Sequence, residues 1–386
     1  MDKNQENHTF KWPLFILMSS ITFMAILSEL VPSGILPELQ EGLNITNAQA
    51  GAMVGWYAIA SAVCSIPLIS WTVSWNRKRL LMILLIGFSI SNILIGIIPN
   101  YSIVIVCRII GGICAGVLWP MISAYGMKLV PSDQKGKAVA VIMAGTTVGM
   151  SVGLPVMTFI GTHINWETEF IVLGIMILVI AVLCHIHLPE ASGDAHSSSN
   201  SPLTLIRNKG ILVVILLTFI AVVANYSVYT YITTLVDWTS YPSIELAQIL
   251  FGIGCFISVW IAGQFIDKHL RMVSAGLLAS SAIAFILFLI MTQPIFFHLA
   301  YLLWGIGFGA LVTVYQTAVS RQVSAEATSV ATSLQSASFN FSIMVASSVG
   351  SLILANENGM TSLLILMAIL LIAGTLISII SKSILA

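Results

Sequence analysis

The sequence predicts an all-α membrane protein in which twelve transmembrane helices form two pseudo-symmetric six-helix halves. Three features indicate this fold: an apolar composition, apolar stretches that recur along the whole chain, and Lys and Arg confined to every second break between them. Of the 386 residues, 58% are hydrophobic and 8% are charged, whereas soluble domains have about 25% charged residues. The composition therefore excludes a soluble enzyme, a disordered chain and a nucleic-acid binder.

Twelve apolar stretches are each close to the ~20 residues that a membrane helix needs. They cover residues 12–35, 48–73, 79–98, 101–127, 138–162, 168–188, 211–236, 245–266, 272–291, 294–319, 327–354 and 360–381. The longest polar break, 189–210, is rich in Ser and Asn, which is typical of a flexible linker. We expect it to join an N-terminal bundle, residues 1–188, to a C-terminal bundle, residues 211–386.

Lys and Arg indicate the orientation of the spans, because short cytoplasmic loops are enriched in both. Fourteen of the 15 Lys and Arg lie at the termini or in the breaks that follow even-numbered spans. The other one, Arg108, lies inside span 4, and the breaks after odd-numbered spans hold none. The sequence therefore predicts that both termini and the linker are cytoplasmic, in the inner membrane of a bacterium.

This topology predicts the side from which the linker can be labelled. A single cysteine at Ser198, in a background without the five native cysteines, should not react with a membrane-impermeant maleimide added outside intact cells. It should react once the cells are permeabilised. Ready labelling from outside would overturn the predicted orientation.

The two halves resemble each other, as the halves of repeat-built transporters do. Residues 111–133 align with residues 304–326 without a gap. The alignment pairs Gly112 with Gly305, Gly116 with Gly309, Lys128 with Arg321 and Asp133 with Glu326. A weaker match, of 71–79 with 263–271, has nearly the same offset. The duplication predicts a two-lobed carrier with its binding site between the lobes, rather than a channel.

The break after span 8 resembles the G-x-x-x-D-[RK]-x-x-R loop signature of the major facilitator superfamily. The matching residues are Gly263, Asp267, Lys268 and Arg271. The first copy departs from the signature, since Trp replaces both its Gly and its Asp. Its basic end remains in Asn76, Arg77, Lys78 and Arg79. The resemblance implies the superfamily fold, and it implies that Asp267 helps to latch the inward-closed arrangement.

Span 5 contains G-T-T-V-G-M-S-V-G-L-P at 145–155, which is similar to the glycine-rich antiporter motif of the same superfamily. Gly145, Gly149 and Gly153 recur every fourth residue, so they should form a flat stripe against which another helix can pack closely. Pro155 should bend the helix beyond that stripe. Segments such as SELVPSGILPEL resemble the bacterial drug, sugar and purine efflux branch, which implies proton-coupled export.

Two ionisable residues lie deep in the predicted spans, where such residues are functional candidates. Glu29 is about seven residues from the outer end of span 1, and Arg108 is seven residues after Tyr101, at the outer end of span 4. At 1.5 Å per residue, both lie about 10 Å below the outer surface. We expect a proton-coupling pair, in which protonation of Glu29 frees Arg108. A static strut between the helices is the alternative role.

Aromatic and amide side chains on the spans are the candidates for contact with a transported solute. Trp and Tyr offer a broad apolar surface together with one polar group each. The candidates are Trp56, Tyr57, Trp119, Asn225, Tyr229, Trp304, Tyr315, Gln316 and Asn340. Tyr315 follows Trp304 by eleven residues, or three helical turns, which predicts that both lie on one helix face. This set favours a neutral or weakly charged solute, such as a drug-like compound, a sugar or a nucleoside.

The sequence predicts a secondary transporter, not an enzyme, that exports a small organic solute in exchange for protons. It contains no P-loop, and one isolated carboxyl suits a proton better than Na⁺. The expected partners are the solute, protons and the lipid bilayer. We expect a monomer with no cofactor, no metal ion and no nucleic acid. The alternatives are proton-coupled uptake, passive facilitation, and a membrane enzyme or lipid scramblase.

Overall fold

The computed structural model of the chain describes residues 10–131, 134–193, 207–323, 328–382 and 384–385. Every element of secondary structure in these ranges is a helix. The labelling position Ser198, the aligned acids Asp133 and Glu326, and most of the linker lie outside the described residues.

Fifteen α-helices and one π-helical turn follow one another along the described chain. The α-helices are α1 (Trp12–Gly34), α2 (Leu36–Leu43), α3 (Asn47–Thr72), α4 (Arg77–Ile97), α5 (Tyr101–Lys128), α6 (Lys135–Val148), α7 (Leu154–His163), α8 (Trp166–His187), α9 (Lys209–Tyr229), α10 (Ile232–Trp238), α11 (Ile244–Ile290), α12 (Pro294–Gly309), α13 (Leu311–Ser320), α14 (Thr328–Leu354) and α15 (Gly359–Ile380). The π turn, Gly149–Gly153, joins α6 to α7. Several helices begin at a polar side chain that accepts a main-chain N–H of the first turn, which stabilises a helix start. These caps are Thr46, Asn76, Asn100, Asn165, Asn208 and Ser243.

The all-helical membrane fold predicted from the sequence is confirmed. In the part of the chain that the structure describes, ten helical segments are long and apolar enough to cross a membrane. One of them, α11, contains predicted spans 8 and 9, because its backbone leaves the helical region at His269, with φ −137° and ψ 37°. The 26-residue α3 corresponds to predicted span 2. These helices together account for the twelve predicted spans.

Two short helices lie where the sequence predicts a loop or a continuous span. The break after span 1 contains α2, which has Pro37 in its first turn and ends at Asn44 in the left-handed conformation, with φ 51°. Proline suits a helix start, and asparagine tolerates the left-handed conformation that ends one. Span 7 stops at Tyr229, and α10 begins three residues later, at Ile232.

Span 10 is divided at Ala310 into α12 and α13. The main-chain N–H of Ala310 donates to the hydroxyl of Ser258 (3.0 Å). A side chain thus satisfies a main-chain group that leaves the helix at membrane depth. Trp304 and Tyr315 therefore lie in different helices, so their eleven-residue spacing does not run along one continuous helix, and a shared face stays a prediction.

Span 5 contains the π turn between α6 and α7. Pro155 lies just after it and has no N–H to donate to the oxygen of Ser151, four residues back. The N–H of Leu154 donates instead to Gly149, five residues back. The turn therefore holds one extra residue. The sequence predicts that Pro155 bends the helix beyond the glycine stripe. The distortion lies instead within the stripe, because proline disrupts the hydrogen bonding of the turn before it.

The aligned glycines of the two halves make matching contacts. Each lies so close to a main-chain oxygen of a neighbouring helix that a Cβ would force one of them to shift. The pairs are Gly112 with Tyr57, Gly116 with Ser61, Gly305 with Phe251 and Gly309 with Cys255. Thus α5 packs on α3 in the same way as α12 packs on α11, as expected of a duplicated unit.

The helices place basic and acidic loops at opposite ends of the bundle. The basic end consists of the loops after α3, α5, α8 and α13 and the bend in α11, and it carries Lys and Arg. The loops at the other end, which we call the acidic end, contain no Lys or Arg in their sequences. Acidic residues at this end include Glu38, Glu41, Glu167, Glu169, Asp237, Glu245 and Glu357.

Several contacts between residues before and after the linker lie at or towards the acidic end. The hydroxyl of Ser151, in the π turn, donates to the main-chain oxygen of Gly252 in α11 (2.8 Å). The hydroxyl of Thr162, in α7, donates to the carboxylate of Glu245 (3.3 Å). Near the start of α3, Gly51 lies against the ring of Tyr231. The acidic end is therefore closed in this conformation.

Candidate functional site

Arg108 lies in α5 at the meeting point of three helices and is 1% exposed. Its Nε donates to the main-chain oxygen of Met53 (3.1 Å), its Nη2 to that of Glu29 (3.0 Å) and its Nη1 to that of Ser28. The Cζ lies 4.3 Å from the centroid of the Tyr57 ring, within cation–π range. The guanidinium therefore ties α5 to α1 and α3.

Pro32 explains why α1 needs this arginine. A helical oxygen normally accepts the N–H four residues later, and Pro32 has no N–H to offer Ser28. An unbonded main-chain oxygen inside a membrane costs several kcal/mol. The Nη1 of Arg108 donates to that oxygen instead. This geometry fits the strut role of Arg108.

Glu29 lies in α1 and is 5% exposed. The hydroxyl of Tyr226, in α9, donates to its Oε1 (3.4 Å). The Tyr226 ring packs against Phe308 and Phe339, with ring centroids 5.1 and 5.8 Å away. The contact joins a residue before the linker to one after it. The Glu29 carboxyl therefore lies between the helices that precede the linker and those that follow it.

Glu29 and Arg108 lie side by side, as equal depth predicts, but their charged groups form no ion pair in the described structure. The guanidinium contacts the main-chain oxygen of Glu29, while the carboxylate points to Tyr226. The donors of Arg108 are used by main-chain oxygens, one of which Pro32 leaves free. The direct side-chain pair expected from the sequence is therefore absent in this conformation, and the coupling role stays a prediction.

A buried polar cluster joins α9, α11 and α12. The Oδ1 of Asn225 accepts from the Ser281 hydroxyl (2.9 Å) and from Nε1 of Trp304 (3.0 Å), and its Nδ2 donates to Ala221 (2.8 Å). The Tyr229 ring lies 5.8 Å from that of Trp304. The structure thus brings three solute candidates together. Because Asn225 and Trp304 bond to each other and are 0% exposed, this arrangement suits packing of the helices.

Three further candidates are buried apart from that cluster. Tyr57 lies beneath Arg108. The amide of Asn340 donates to Ser336 in its own helix (3.0 Å). The hydroxyl of Tyr315 accepts from Ser274 (3.4 Å). The contacts of Tyr57 and Tyr315 stay within one predicted half each, and Asn340 bonds within its own helix.

The last three solute candidates are more accessible. Trp119 and Gln316 are half-buried. Trp56 is 48% exposed and lies two helical turns from Val63, which is 62% exposed, so both are on one exposed face of α3. An exposed apolar face on a membrane helix suits lipid. Trp119 and Gln316 remain candidates for contact with a solute.

The first loop signature caps a helix and holds the start of the linker. The Oδ1 of Asn76 accepts the N–H of Arg79 at the start of α4 (3.1 Å). Arg77 is 6% exposed, and its Nη2 donates to Val73 (2.9 Å). Its main-chain N–H donates to Ala191 (2.8 Å).

The second loop signature contacts a basic residue after α13. Nη2 of Arg321 lies 3.7 Å from the Asp267 carboxylate and donates to its main-chain oxygen (3.0 Å). Gly263 and Lys268 are exposed, and Arg271 is half-buried. These contacts stay within the residues after the linker, so the latch role of Asp267 remains a prediction.

The glycine stripe of span 5 packs against α1. A Cβ at Gly145 would overlap a main-chain oxygen, whereas one at Gly149 or Gly153 would meet side chains at 2.5 and 2.8 Å. The facing residues are Ser19, Ile26 and Phe23, in that order. The stripe therefore forms a close contact within the predicted N-terminal half, while Ser151 of the same span contacts α11 on another face.

Two residues of the site are not singled out by any sequence pattern. Tyr226 has one weak signal, its position between the candidates Asn225 and Tyr229. Glu169 is 0% exposed, although it lies in the first turn of α8. Acidic residues are common in first turns, because they interact favourably with the helix dipole. The position of Glu169 in the sequence therefore gives no sign that it is buried.

The chain is similar to a known protein family and to solved structures. The sequence profile of the Major Facilitator Superfamily matches residues 18–345 and 239–383. These two matches cover nearly all of the membrane helices.

Three solved transporters have a similar structure. A bacterial homologue of the human lysosomal transporter Spinster, in an inward-facing and occupied conformation, gives a TM-score of 0.74 at 12% identity over 97% of each chain. A mutant of the nucleoside transporter NupG gives 0.75 at 14% identity, over 95% of this chain and 98% of that one. The human organic anion transporter MFSD10 (TETRAN) gives 0.73 at 13% identity, over 95% and 98%. At such identities the likeness is one of fold.

Proposed function

This chain belongs to the Major Facilitator Superfamily, and we propose that it is a proton-coupled antiporter that exports a small, neutral or weakly charged organic solute. In this proposal the halves 1–188 and 211–386 move about the 189–210 linker and expose a central site to each side in turn. The protein lies in a bacterial inner membrane with both termini in the cytoplasm, and the acidic end faces outward.

The contact between Glu29 and Tyr226 carries the proposal. It is a buried carboxyl with a hydrogen-bond donor from the other half. A charged carboxylate is costly in apolar surroundings unless it is well hydrogen-bonded. When the halves part, the Glu29 carboxyl loses Tyr226 and gains water. Its protonation and the arrangement of the halves are therefore coupled.

Arg108 has a positioning role in this scheme. Its guanidinium donates to oxygens of α1 on both sides of the Glu29 Cα and to α3. It therefore fixes the part of α1 that carries Glu29, whether or not the carboxyl holds a proton. This positioning role does not need a switch in which Arg108 is released, since in the described conformation no guanidinium–carboxylate bond joins these two residues.

The solute should be neutral or weakly charged. Around Tyr226 the structure offers the aromatic faces of Phe308 and Phe339, and Trp119 and Gln316 are partly accessible. Aromatic and amide groups hold a solute mainly by apolar contact with a few hydrogen bonds. Export confined to dianionic or polyvalent compounds would contradict this prediction. A growth-inhibition panel that includes matched neutral and charged compounds would reveal it.

The proposed function is tested first in cells and then in membrane vesicles. A host without its own efflux pumps is challenged with a broad compound panel, with and without this protein. A protected compound is then followed in inverted vesicles with an imposed pH difference. Proton antiport predicts accumulation inside these vesicles only when their interior is the more acidic side. Accumulation with the opposite gradient indicates symport, and equilibration without pH dependence indicates a passive facilitator.

A further inference from the structure

A second carboxyl is buried at the acidic end, apart from Glu29. Glu169 is 0% exposed, and neither oxygen of its carboxyl has a hydrogen-bond partner among the described residues. The carboxyl packs on α7 at Gly161, where a Cβ would overlap Oε2. On the turn before Gly161, the hydroxyl of Thr158, which faces Gly34 of α1, also has no partner among the described residues. Buried polar groups without a partner are uncommon in proteins, and each calls for an explanation such as a water, an ion or a functional role.

Among the described residues, the helices packed around this carboxyl bring no Lys or Arg to the acidic end to balance a charge. Glu169 belongs to α8, which packs against α1, α2, α4 and α7. The titratable groups that these elements bring to the acidic end are Glu38 and Glu41 of α2, His163 of α7 and Glu167 of α8 itself. The charged residues of α4 are all at its basic end, and the one charged residue of α1 is Glu29, which contacts Tyr226.

Glu38 adds to the negative charge around Glu169. One of its carboxyl oxygens is also buried without a partner in the described residues. Burial raises the pKa of Glu38, and the negative charges of Asp237, Glu245 and Glu41 raise it further. When ionised, Glu38 opposes a second negative charge on Glu169.

A proton is the ligand that fits this place. An ionised carboxyl that is fully buried without a donor is very costly, and the neutral acid avoids most of that cost. Within the described residues, no group of three or more His, Cys, Asp or Glu could hold a metal ion. A proton also needs no cavity, and the space beside Gly161 is filled.

We propose that Glu169 is a second proton-binding site, which is loaded when the acidic end is closed and discharged when that end opens. This goes beyond the proposed function, which needs only Glu29. In the closed state, Gly34 of α1 lies between Thr158 and Gln248 of α11, and Thr162 bonds Glu245. Separation of these contacts admits water beside α7. The carboxylic acid then gives its proton to water and becomes a hydrated carboxylate.

The sign of the pH dependence follows from this cycle. The closed state binds one more proton than the open state, so acidic conditions favour closure and alkaline conditions favour opening. Glu169→Gln is neutral at every pH and has nearly the shape of the protonated acid. It should therefore hold the acidic end closed.

The test measures a distance across the acidic end. Spin labels are placed on cysteines at Ala48 and Ala355, two exposed positions at the ends of α3 and α14. The other cysteines are removed, and every variant also carries Glu29→Gln. The distance between the labels is recorded by pulsed electron paramagnetic resonance from about pH 5 to pH 9. Buried carboxyl groups of proteins are known to titrate in this range. The full-length protein is used, in lipid.

In the parent, the long-distance population should grow from a minority to a majority as the pH rises. Glu169→Gln should remove at least four-fifths of that change and keep the short distance throughout. Glu167→Gln, which changes the same first turn at a half-buried carboxyl, should behave like the parent. Glu38→Gln should move the transition to lower pH, since Glu169 then ionises without a neighbouring charge.

A parent that shows no pH-dependent change overturns the proposal. So does a Glu169→Gln variant with the pH response of the parent. If Glu169→Gln does not fold, the Glu38→Gln variant decides: an unshifted transition rejects Glu169 as the site. Because Glu29 is replaced throughout, none of these outcomes depends on its role in coupling, which a transport assay measures separately.

Discussion

Glu29→Gln should abolish accumulation of solute driven by a pH difference. Glutamine keeps the size of the side chain and an oxygen that can accept from Tyr226, but it cannot bind and release a proton. About 3–5 kcal/mol is lost when a buried ion pair is broken. Here Arg108 keeps its three main-chain acceptors and glutamine can still accept from Tyr226, so the expected loss of stability is below about 1 kcal/mol, the worth of one hydrogen bond. Uptake into proteoliposomes with an imposed pH gradient measures the effect.

The controls separate coupling from folding and binding. Glu29→Gln should still exchange labelled solute for unlabelled solute across the membrane without a gradient. Glu29→Asp, which titrates, should keep part of the pH-driven accumulation. Accumulation at the wild-type level by Glu29→Gln would reject Glu29 as the coupling residue.

Gly145→Ala should destabilise the folded protein by about 1–3 kcal/mol, the usual cost of overpacking. The added methyl group would overlap the main-chain oxygen of Ser19, and a main-chain atom within a helix cannot move aside without shifting α1. At Gly149 the neighbour is the side chain of Ile26, at 2.5 Å, which can rotate. Gly149→Ala should therefore cost less.

The matched control lies in the same helix. Nothing lies within 4 Å of a Cβ at Gly136 in α6, and alanine is favoured over glycine in helices by about 1 kcal/mol. Thermal unfolding of the three purified variants, followed by tryptophan fluorescence in one detergent, should give melting temperatures in the order Gly136→Ala, Gly149→Ala, Gly145→Ala, from highest to lowest. Equal values for the first and the last would contradict the packing of span 5 on α1.

The membrane fold could be predicted because it depends on composition and on one-dimensional charge patterns. The interruptions of the helices could not, because they depend on contacts in three dimensions. The break at Ala310 needs the hydroxyl of Ser258, which lies far away in sequence. The π turn has a local cause, Pro155, but its exact place depends on how Ser151 meets α11.

The site could be predicted in part. Equal depth brings Glu29 and Arg108 together, yet depth does not tell which atoms meet. That choice follows from Pro32, which lies four residues after Ser28 and leaves its oxygen without a donor. This signal is present in the sequence. The burial of Glu169 has no comparable signal, because α2, whose Glu38 adds charge nearby, lies where the sequence predicts a loop.

The π turn makes the packing of span 5 depend on the number of residues in it. Each residue in a regular helix rotates the chain by about 100°, and the extra residue at Gly149–Gly153 sets the angle at which α7 leaves the turn. Because the turn takes up this extra residue, deleting one residue there would restore a regular ladder but remove the widened turn from which the Ser151 hydroxyl reaches Gly252 in α11. A deletion between Gly149 and Gly153 should therefore weaken the contact of span 5 with α11 more than a substitution at an exposed position of the turn.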